Sequence, residues 1–130
     1  MEDVPDLVEM LERLHRQKKP GYAFEPHDAE RYMRTAIKDA VVIRGDSSFL
    51  AGAFAPSPAN ARWLTAYEIF WWAEDGQGLG LLRTFEDMAR QAACSEIVVS
   101  YPANETRVSR VLERGGYSAN GEAMRKLLCA

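Results

Sequence analysis

The sequence predicts one α/β domain over residues 1–130, with a mixed central sheet flanked by helices in the order ααββ-β-α-β-α-β. Two amphipathic segments open the chain, the apolar period then shortens from helical to alternating near Ala40, and a strand, a helix and a strand follow one another between Trp63 and Ser100. The chain has 130 residues, 47% of them hydrophobic and 27% charged, which suits a single globular domain.

Both opening segments are predicted to be helices that face a core. Asp3 can cap the first, Pro5 suits its first turn, and Pro20 and Gly21 mark its end. The second follows Pro26. Their apolar stripes are Leu7, Met10, Leu11 and Leu14 in the first, and Ala29, Tyr32, Met33, Ala36 and Ile37 in the second.

The middle of the chain predicts strands. The runs 40–43 and 49–54 form a hairpin around Asp46 and its serine neighbours, and the segment 55–61 reads as an exposed loop because it is rich in proline and small residues. The strongest strand, Trp63–Trp72, is apolar on both faces, with Leu64, Ala66, Glu68, Phe70 and Trp72 expected on one of them. Glu68 is its exception, because a carboxylate there must be paired, solvated or functional.

The last third predicts a parallel crossover and a closing strand. A helix with Leu81, Leu82, Phe85, Met88, Ala89 and Ala92 on its buried face leads into a strand at 96–100. Asn104 can cap a last helix, which ends at Gly115 and Gly116, and residues 122–128 suit a final strand.

Composition argues against several classes of function. A formal net charge of -3 does not favour nucleic-acid binding, and the absence of a long apolar run argues against a membrane span. Cys94, Cys129, His15 and His27 form neither a disulfide framework nor a metal-spaced cluster, so no metal is expected. The acidic first ten residues differ from a signal peptide, which predicts a cytoplasmic protein.

The feature that carries chemistry is the alternation of Gly76, Gly78 and Gly80 between the central strand and a helix. Backbone N–H groups in such a loop can approach an anion, and the helix dipole favours a phosphate or pyrophosphate there. A tight strand-to-helix turn is the alternative. A P-loop and a dinucleotide fingerprint are both excluded, because Leu81 and Arg83 stand where those motifs need other residues.

Two stretches then resemble the GNAT superfamily of acyl-CoA-dependent N-acyltransferases. EIFWWAEDGQGLGLLRTFEDMAR resembles the family's cofactor-binding strand, Q/R-x-x-G-x-G/A loop and helix, and ANETRVSRVLERGGYS resembles its second signature. The resemblance implies acetyl-CoA as co-substrate. The resemblance further implies that the pyrophosphate of acetyl-CoA binds at Gly76, Gln77, Gly78, Leu79, Gly80 and Leu81. The pantetheine arm would lie near Phe70 and Trp71, and Asn104 and Arg107 would make further contacts. Arg107 and Arg110 are alternatively solvated helix arginines.

The chain departs from that family at two positions. Asp75 occupies the place of the family's loop Gln or Arg, which puts a negative charge near the expected pyrophosphate. The tyrosine that many members use as general acid aligns with Leu112 when the helix is counted back from Gly116, or with Val111 when it is counted forward from Asn104. Neither residue can donate a proton. Glu68 is the candidate base, the alternative being a carboxylate held by a buried hydrogen bond or an arginine.

The resemblance implies an N-acetyltransferase that acts on an unidentified amine, as a monomer or homodimer. A second hypothesis is a CoA-binding or protein-binding module that has lost turnover, which Asp75 and Leu112 would support. A third is an interaction domain that exposes a patch of Trp63, Trp71 and Trp72.

Overall fold

The computed structural model describes residues 3–18, 21–101 and 106–119, together with Lys126 and Leu128. The helices are α1 (Val4–Lys18), α2 (Pro26–Asp39), α3 (Gly78–Gln91) and α4 (Thr106–Arg114), and the strands are β1 (Val41–Arg44), β2 (Ser48–Ser57), β3 (Asn60–Ala73) and β4 (Glu96–Val98). This order confirms the predicted one as far as α4. The chain divides into two compact units, Met1–Ser100 and Tyr101–Ala130.

The first unit is a four-stranded mixed sheet with helices on both faces. Its strand order is β1-β2-β3-β4, with antiparallel neighbours except for the parallel pair of β3 and β4. On β2, Ala51 belongs to the core built with α1 and α2, whereas a Cβ on the next residue, Gly52, would point at Phe85 of α3. Successive residues of a strand face opposite sides, so α1 and α2 cover one face and α3 the other.

The two opening helices bury most of the predicted stripes. In α1 the buried residues are Val4, Leu7, Met10, Leu11 and Leu14. In α2 they are Ala29, Met33 and Ala36, whereas Tyr32 is 40% exposed and Ile37 is 36% exposed. The predicted stripe of α2 was therefore too wide, because only its central positions face the sheet and α1.

The segment 55–61 is mainly strand, which corrects the loop expected there, while most of its residues are exposed as predicted. The ladder of β2 and β3 continues to Ser57 and Asn60, so the turn between them consists of Pro58 and Ala59. Proline is tolerated in this part of β2 because β1 pairs with it only as far as Gly52. Beyond that point no strand in the described part of the chain pairs with the other side of β2, so the N–H group that proline lacks removes no bond to a neighbouring strand there.

A β-bulge interrupts β3 next to Glu68. Gly52 pairs with Glu68 whereas Ala51 pairs with Phe70, so Ile69 is an extra residue without a partner on β2. A bulge bends the strand and changes which way the following side chains point.

The bulge makes the predicted alternation along β3 wrong. Ala66 lies opposite Phe54, whose ring centroid is 5.9 Å from that of Phe85 on the α3 face. Phe70 lies opposite Ala51, which belongs to the core on the α1 and α2 face. Positions four apart, which would share a face in a regular strand, therefore lie on opposite faces here.

Gly52→Ala is expected to destabilise the fold by about 1–3 kcal/mol, because the site is already filled. A Cβ at Gly52 would lie 2.6 Å from the ring of Phe85 and 2.7 Å from the carbonyl oxygen of Tyr67. Urea unfolding measures the effect. Gly80→Ala is the matched control, since a Cβ there meets nothing within 4 Å and alanine in a helix is favoured by about 0.5–1 kcal/mol. Equal stabilities of the two variants would contradict the packing argument.

The second unit contributes α4 and the turn that ends it. Leu112 is buried at 4% exposure, and its carbonyl accepts a 3.0 Å hydrogen bond from the N–H of Tyr117 after Gly116 at φ +93°. This is the glycine-based helix stop that the sequence predicts. Asn104 and most of the closing strand predicted at 122–128 lie outside the described residues. Within the described part of the chain, no helix combines the length and apolarity that crossing a membrane requires.

Candidate functional site

The turn between β3 and α3 is shorter than the glycine loop that the sequence suggests. Gly78 and Gly80 belong to the first turn of α3, and the first backbone hydrogen bond of that helix runs from the N–H of Leu81 to the carbonyl of Gln77, at 3.0 Å. The N–H groups of Gly78, Leu79 and Gly80 precede this bond, and Gln77 provides no side-chain cap. Such amides at a helix start can bind an anion.

The three glycines serve different purposes. Gly76 has φ +76°, a left-handed conformation that favours glycine. Gly78 lies against β3, because a Cβ there would be 2.9 Å from that of Ala73 and 3.4 Å from Nε1 of Trp71. At Gly80 a Cβ would have nothing within 4 Å. Gly78 therefore permits close packing within the protein, whereas the space beside Gly80 is open to a ligand.

Asp75 makes three hydrogen bonds in the turn. Its Oδ2 accepts from the N–H of Ser47 at 2.8 Å and from the hydroxyl of Ser48 at 3.1 Å, and its Oδ1 accepts from the N–H of Gln77 at 3.0 Å. These bonds hold the pKa of the Asp75 carboxyl below its usual value, and the bond from the N–H of Ser47 has the largest effect. The N–H of Gln77 is thus already used, as is that of Leu81, so the amides of the first turn of α3 that remain for an anion are those of Gly78, Leu79 and Gly80.

Within the described ranges, the edge of β3 on the side of β4 has no partner strand beyond Tyr67. The parallel ladder joins Thr65, Ala66 and Tyr67 of β3 to Glu96, Ile97 and Val98, and it ends there. No described strand pairs with the rest of that edge. The main chain of β3 from Glu68 onward can therefore accept an extended ligand as an additional strand.

Phe70 and Trp71 project their side chains into packing contacts. The ring of Phe70 meets that of Tyr32 edge-on, with 5.7 Å between their centroids. The indole N–H of Trp71 donates to the carbonyl of Gly78 at 3.0 Å. The main chain of these two residues could still pair with a cofactor arm as a strand would.

Glu68 is a buried carboxyl at the point where β3 and β4 part. It is 8% exposed, and its Oε1 accepts a 3.3 Å hydrogen bond from the N–H of Ser100. Burial raises the pKa of Glu68 from 4.5 to about 7, against the opposing effects of the Ser100 N–H and the positive charge of Lys18. The hydrogen bond considered as its structural alternative is present, and no described arginine forms an ion pair with it. A carboxyl with this pKa is half ionised near neutral pH, as a general base requires.

The remaining sequence candidates lie on α4 or outside the described residues. Arg107 and Arg110 are exposed on α4, and Leu112 is buried there. Asn104 is not among the described residues. Leu112 and Val111 carry no group that could serve as the acid.

Sequence reasoning missed Ser47 and Ser48 as partners of the glycine turn. Both stand in the hairpin that the sequence predicts, but nothing in their local pattern indicates that they bond to a residue far along the chain. Ser48 is fully buried, which its exposed-looking neighbourhood of Gly45 and Asp46 would not suggest. Among the described residues there is no group of three side chains suited to hold a metal ion.

The exposed tryptophan patch is not present as predicted. Trp63 is 44% exposed, but Trp71 and Trp72 are half-buried. The indole N–H of Trp72 donates to Oε1 of Glu74 at 3.2 Å, so both of these residues have bonded indole groups.

No protein-family model matches the chain, and no curated protein matches it. Solved structures do. A transcriptional regulator from Bacillus halodurans C-125 matches with a TM-score of 0.77 and 18% identity, over 98% of this chain and 94% of that chain. A "predicted acetyltransferase with acetyl-CoA" from Clostridium acetobutylicum matches with a TM-score of 0.72 and 17% identity, over 98% of this chain and 91% of that chain. A ribosomal-protein-alanine N-acetyltransferase from Brucella melitensis biovar Abortus 2308 matches with a TM-score of 0.68 and 15% identity, over 98% of this chain and 94% of that chain.

At these identities the likeness concerns the fold. It extends over nearly the whole length of this chain and of each matched structure. The fold expected from the two sequence stretches is therefore confirmed.

Proposed function

We propose that this chain, whose fold is that of the GNAT N-acetyltransferases, transfers an acetyl group from acetyl-CoA to an amine. The observation that carries the proposal is the buried carboxyl of Glu68, with a pKa of about 7, on the strand that leads into the free first-turn amides of α3. The candidate base thus lies on the strand that precedes the candidate phosphate site in the chain. A solved structure with this fold and with acetyl-CoA in its name supports the choice of co-substrate.

The residues present suit the co-substrate. The amides of Gly78, Leu79 and Gly80 would hold the pyrophosphate, aided by the positive end of the α3 dipole. The open side of Gly80 leaves room for it. The edge of β3 beyond Tyr67 would pair with the amide groups of the pantetheine arm, which leads the thioester toward Glu68.

Glu68 would prepare the acceptor for reaction. A lysine-like amine is almost entirely protonated at pH 7, and forming its neutral state costs about 4 to 5 kcal/mol. The Glu68 carboxylate can take that proton, directly or through a water. The neutral nitrogen then forms a bond to the acetyl carbonyl carbon, the carbon–sulfur bond breaks, and sulfur leaves with the electron pair. The nitrogen becomes an amide by losing a second proton, which passes to the departing thiolate or to water.

Alignment would supply much of the remaining rate. Holding the amine against the thioester lowers the barrier by several kcal/mol without any side-chain chemistry, and a backbone N–H of β3 can polarise the carbonyl. An acid is of limited help, since a thiol with a pKa near 8.5 can leave as an anion. The absence of a proton donor at Leu112 is therefore compatible with turnover.

Leu112 also favours a second candidate, a module that binds acetyl-CoA without turning it over. Its side chain is buried and apolar, and the sequence resemblance aligns it, or Val111, with the tyrosine of many family members. This candidate differs in one outcome, because the protein would bind acetyl-CoA but would acetylate no amine in a broad panel.

Acetyl-CoA is expected to stabilise the folded protein. At about one hundred times its dissociation constant, it should add about 2.7 kcal/mol to the free energy of unfolding. For a domain of this size, that raises Tm by several degrees. A thermal-shift titration, checked by calorimetry, measures the effect, and no response at millimolar acetyl-CoA would contradict the proposal.

Gly80→Glu should abolish this shift, because its side chain and charge would enter the open space beside the helix start. A glutamate in the first turn suits the helix dipole, so the fold should persist. Gln91→Glu, with the same change of charge at the exposed far end of α3, is the control and should keep the full shift. An undiminished shift in Gly80→Glu would rule out this helix start as the phosphate site.

A further inference from the structure

We propose that Asp75 is a positioning residue, whose carboxylate clamps the β1–β2 turn to the start of α3 and thereby holds the first-turn amides ready for a phosphate. The inference rests on the proposed function. It reverses the meaning that the sequence suggests for Asp75, which is a charge that opposes binding.

The two oxygens of Asp75 serve different segments of the chain. Oδ2 accepts from the β1–β2 turn, through the N–H of Ser47 at 2.8 Å and the hydroxyl of Ser48 at 3.1 Å. Oδ1 accepts from the N–H of Gln77 at 3.0 Å, one residue before α3. A single carboxylate therefore joins a hairpin turn to the residue that precedes the candidate phosphate site.

Further contacts connect the same two segments. The N–H of Glu74 donates to the carbonyl of Ser47 at 3.0 Å, and the N–H of Asp46 approaches Oε1 of Gln77 at 3.4 Å. A Cβ at Gly45 would collide with the side chains of Gln77 and Ser48. The segments are thus in close contact, with Asp75 bonded on both sides.

The clamp orients the amides through Gln77. The carbonyl of Gln77 accepts the first hydrogen bond of α3, from Leu81, while its N–H is held by Asp75. With both peptide groups of Gln77 fixed, the amides of Gly78, Leu79 and Gly80 keep one direction before a ligand arrives. Preorganisation of this kind strengthens binding because less ordering is left to the ligand.

Clamping and repulsion predict opposite changes in acetyl-CoA affinity for Asp75→Asn. If Asp75 is a clamp, the substitution weakens binding, and if it only repels the phosphate, the substitution strengthens binding. Asparagine removes the charge and can accept on one side only, so the clamp breaks while the repulsion of the phosphate disappears. We expect the dissociation constant of acetyl-CoA to rise about tenfold to a hundredfold, as loss of a charge-assisted hydrogen bond and of loop order implies. Ser48→Ala, which keeps the charge and removes one donor, should weaken binding about twofold to fivefold.

The control is Asp87→Asn, the same change of charge at an exposed position of α3 whose carboxylate pairs with Arg90. Calorimetry with acetyl-CoA should find its affinity within about twofold of wild type. With an acceptor amine in hand, Asp75→Asn should raise KM for acetyl-CoA and leave kcat nearly unchanged. A purely structural residue would not produce this split.

Hydrogen exchange in the free protein separates failure of the clamp from failure of the proposed function. Asp75→Asn should speed exchange of the amides of Ser47 and Gln77, with or without any affinity for acetyl-CoA. If wild type binds no acetyl-CoA, the proposed function fails, and unchanged exchange at these amides overturns the clamp independently. If wild type binds and Asp75→Asn binds equally well or more tightly, the positioning role is refuted.

Discussion

Glu68→Gln is expected to lower kcat by about 10²- to 10⁴-fold, the usual contribution of a positioned general base. Glutamine keeps the size of the side chain and can still accept the hydrogen bond from Ser100, but it cannot take a proton from the amine. The dissociation constant of acetyl-CoA should hardly change, since the proposed phosphate contacts lie at Gly78–Gly80. Steady-state rates with an amine found by panel screening, together with calorimetry, measure the two quantities.

The pH profile sharpens this test. A base with a pKa of about 7 makes the wild-type rate rise with pH up to about that value and then level off. Glu68→Gln should lose the levelling-off near pH 7 and follow only the ionisation of the amine, whereas Glu25→Gln, at an exposed carboxyl before α2, should retain both the rate and the profile. Full activity of Glu68→Gln in a stably folded protein would exclude Glu68 as the base.

The same substitution is expected to stabilise the protein at alkaline pH, by up to about 3 kcal/mol. Burial raises the pKa of Glu68 from 4.5 to about 7, so the folded state prefers the protonated carboxyl. At about 1.4 kcal/mol per pH unit, the interval between the two values corresponds to about 3 kcal/mol. Glutamine resembles the protonated carboxyl and carries no charge to bury.

The raised pKa of Glu68 decides how the stability difference between the variant and wild type changes with pH. The stability that the protonated Glu68 contributes is fully present below pH 4.5 and is lost as pH rises through about 7. The difference in the free energy of unfolding between Glu68→Gln and wild type should therefore be small near pH 4.5, grow with pH and level off above about 7. Urea unfolding over that range measures it.

Glu25→Gln again serves as the control for stability. Its carboxyl is exposed and makes no side-chain cap hydrogen bond, so its difference from wild type should stay within about 0.5 kcal/mol at every pH. A difference for Glu68→Gln that does not depend on pH would show that Glu68 has an ordinary pKa. The proposed base would then lose its physical support, whatever the acceptor.

Glu68 is thus expected to destabilise the fold in the same pH range in which its ionised form can act as a base. An ionised carboxylate in a buried position is unfavourable, and a protein without need of it would be more stable with an uncharged residue there. Activity that depends on such a residue trades stability for function. Loss of activity with a gain in stability at pH 8 is therefore the combined signature that we expect of Glu68→Gln.

Periodicity and stop signals in the sequence predicted most of the elements. The heptad-like stripe of α1, the proline at the start of α2 and the glycines after α4 are local signals, and local sterics and burial decide those elements. The hairpin at 55–61 was missed for a tertiary reason, since Pro56 is compatible with β2 only because β1 ends before reaching it. The length of a neighbouring strand cannot be read from the residues beside a proline.

The sequence by itself determined the order of elements as far as α4, the presence of glycines between β3 and the first turn of α3, and the presence of a carboxylate on an apolar strand. The tertiary structure alone decided how those residues are used: the bulge at Ile69 redirects the side chains after it, β4 pairs with β3 no further than Val98, and Asp75 bonds to Ser47 and Ser48. The physical reason is that pairing, burial and hydrogen bonding join residues far apart in the chain. The pKa of Glu68 is set by such neighbours, and the residue type alone reveals only that it can ionise.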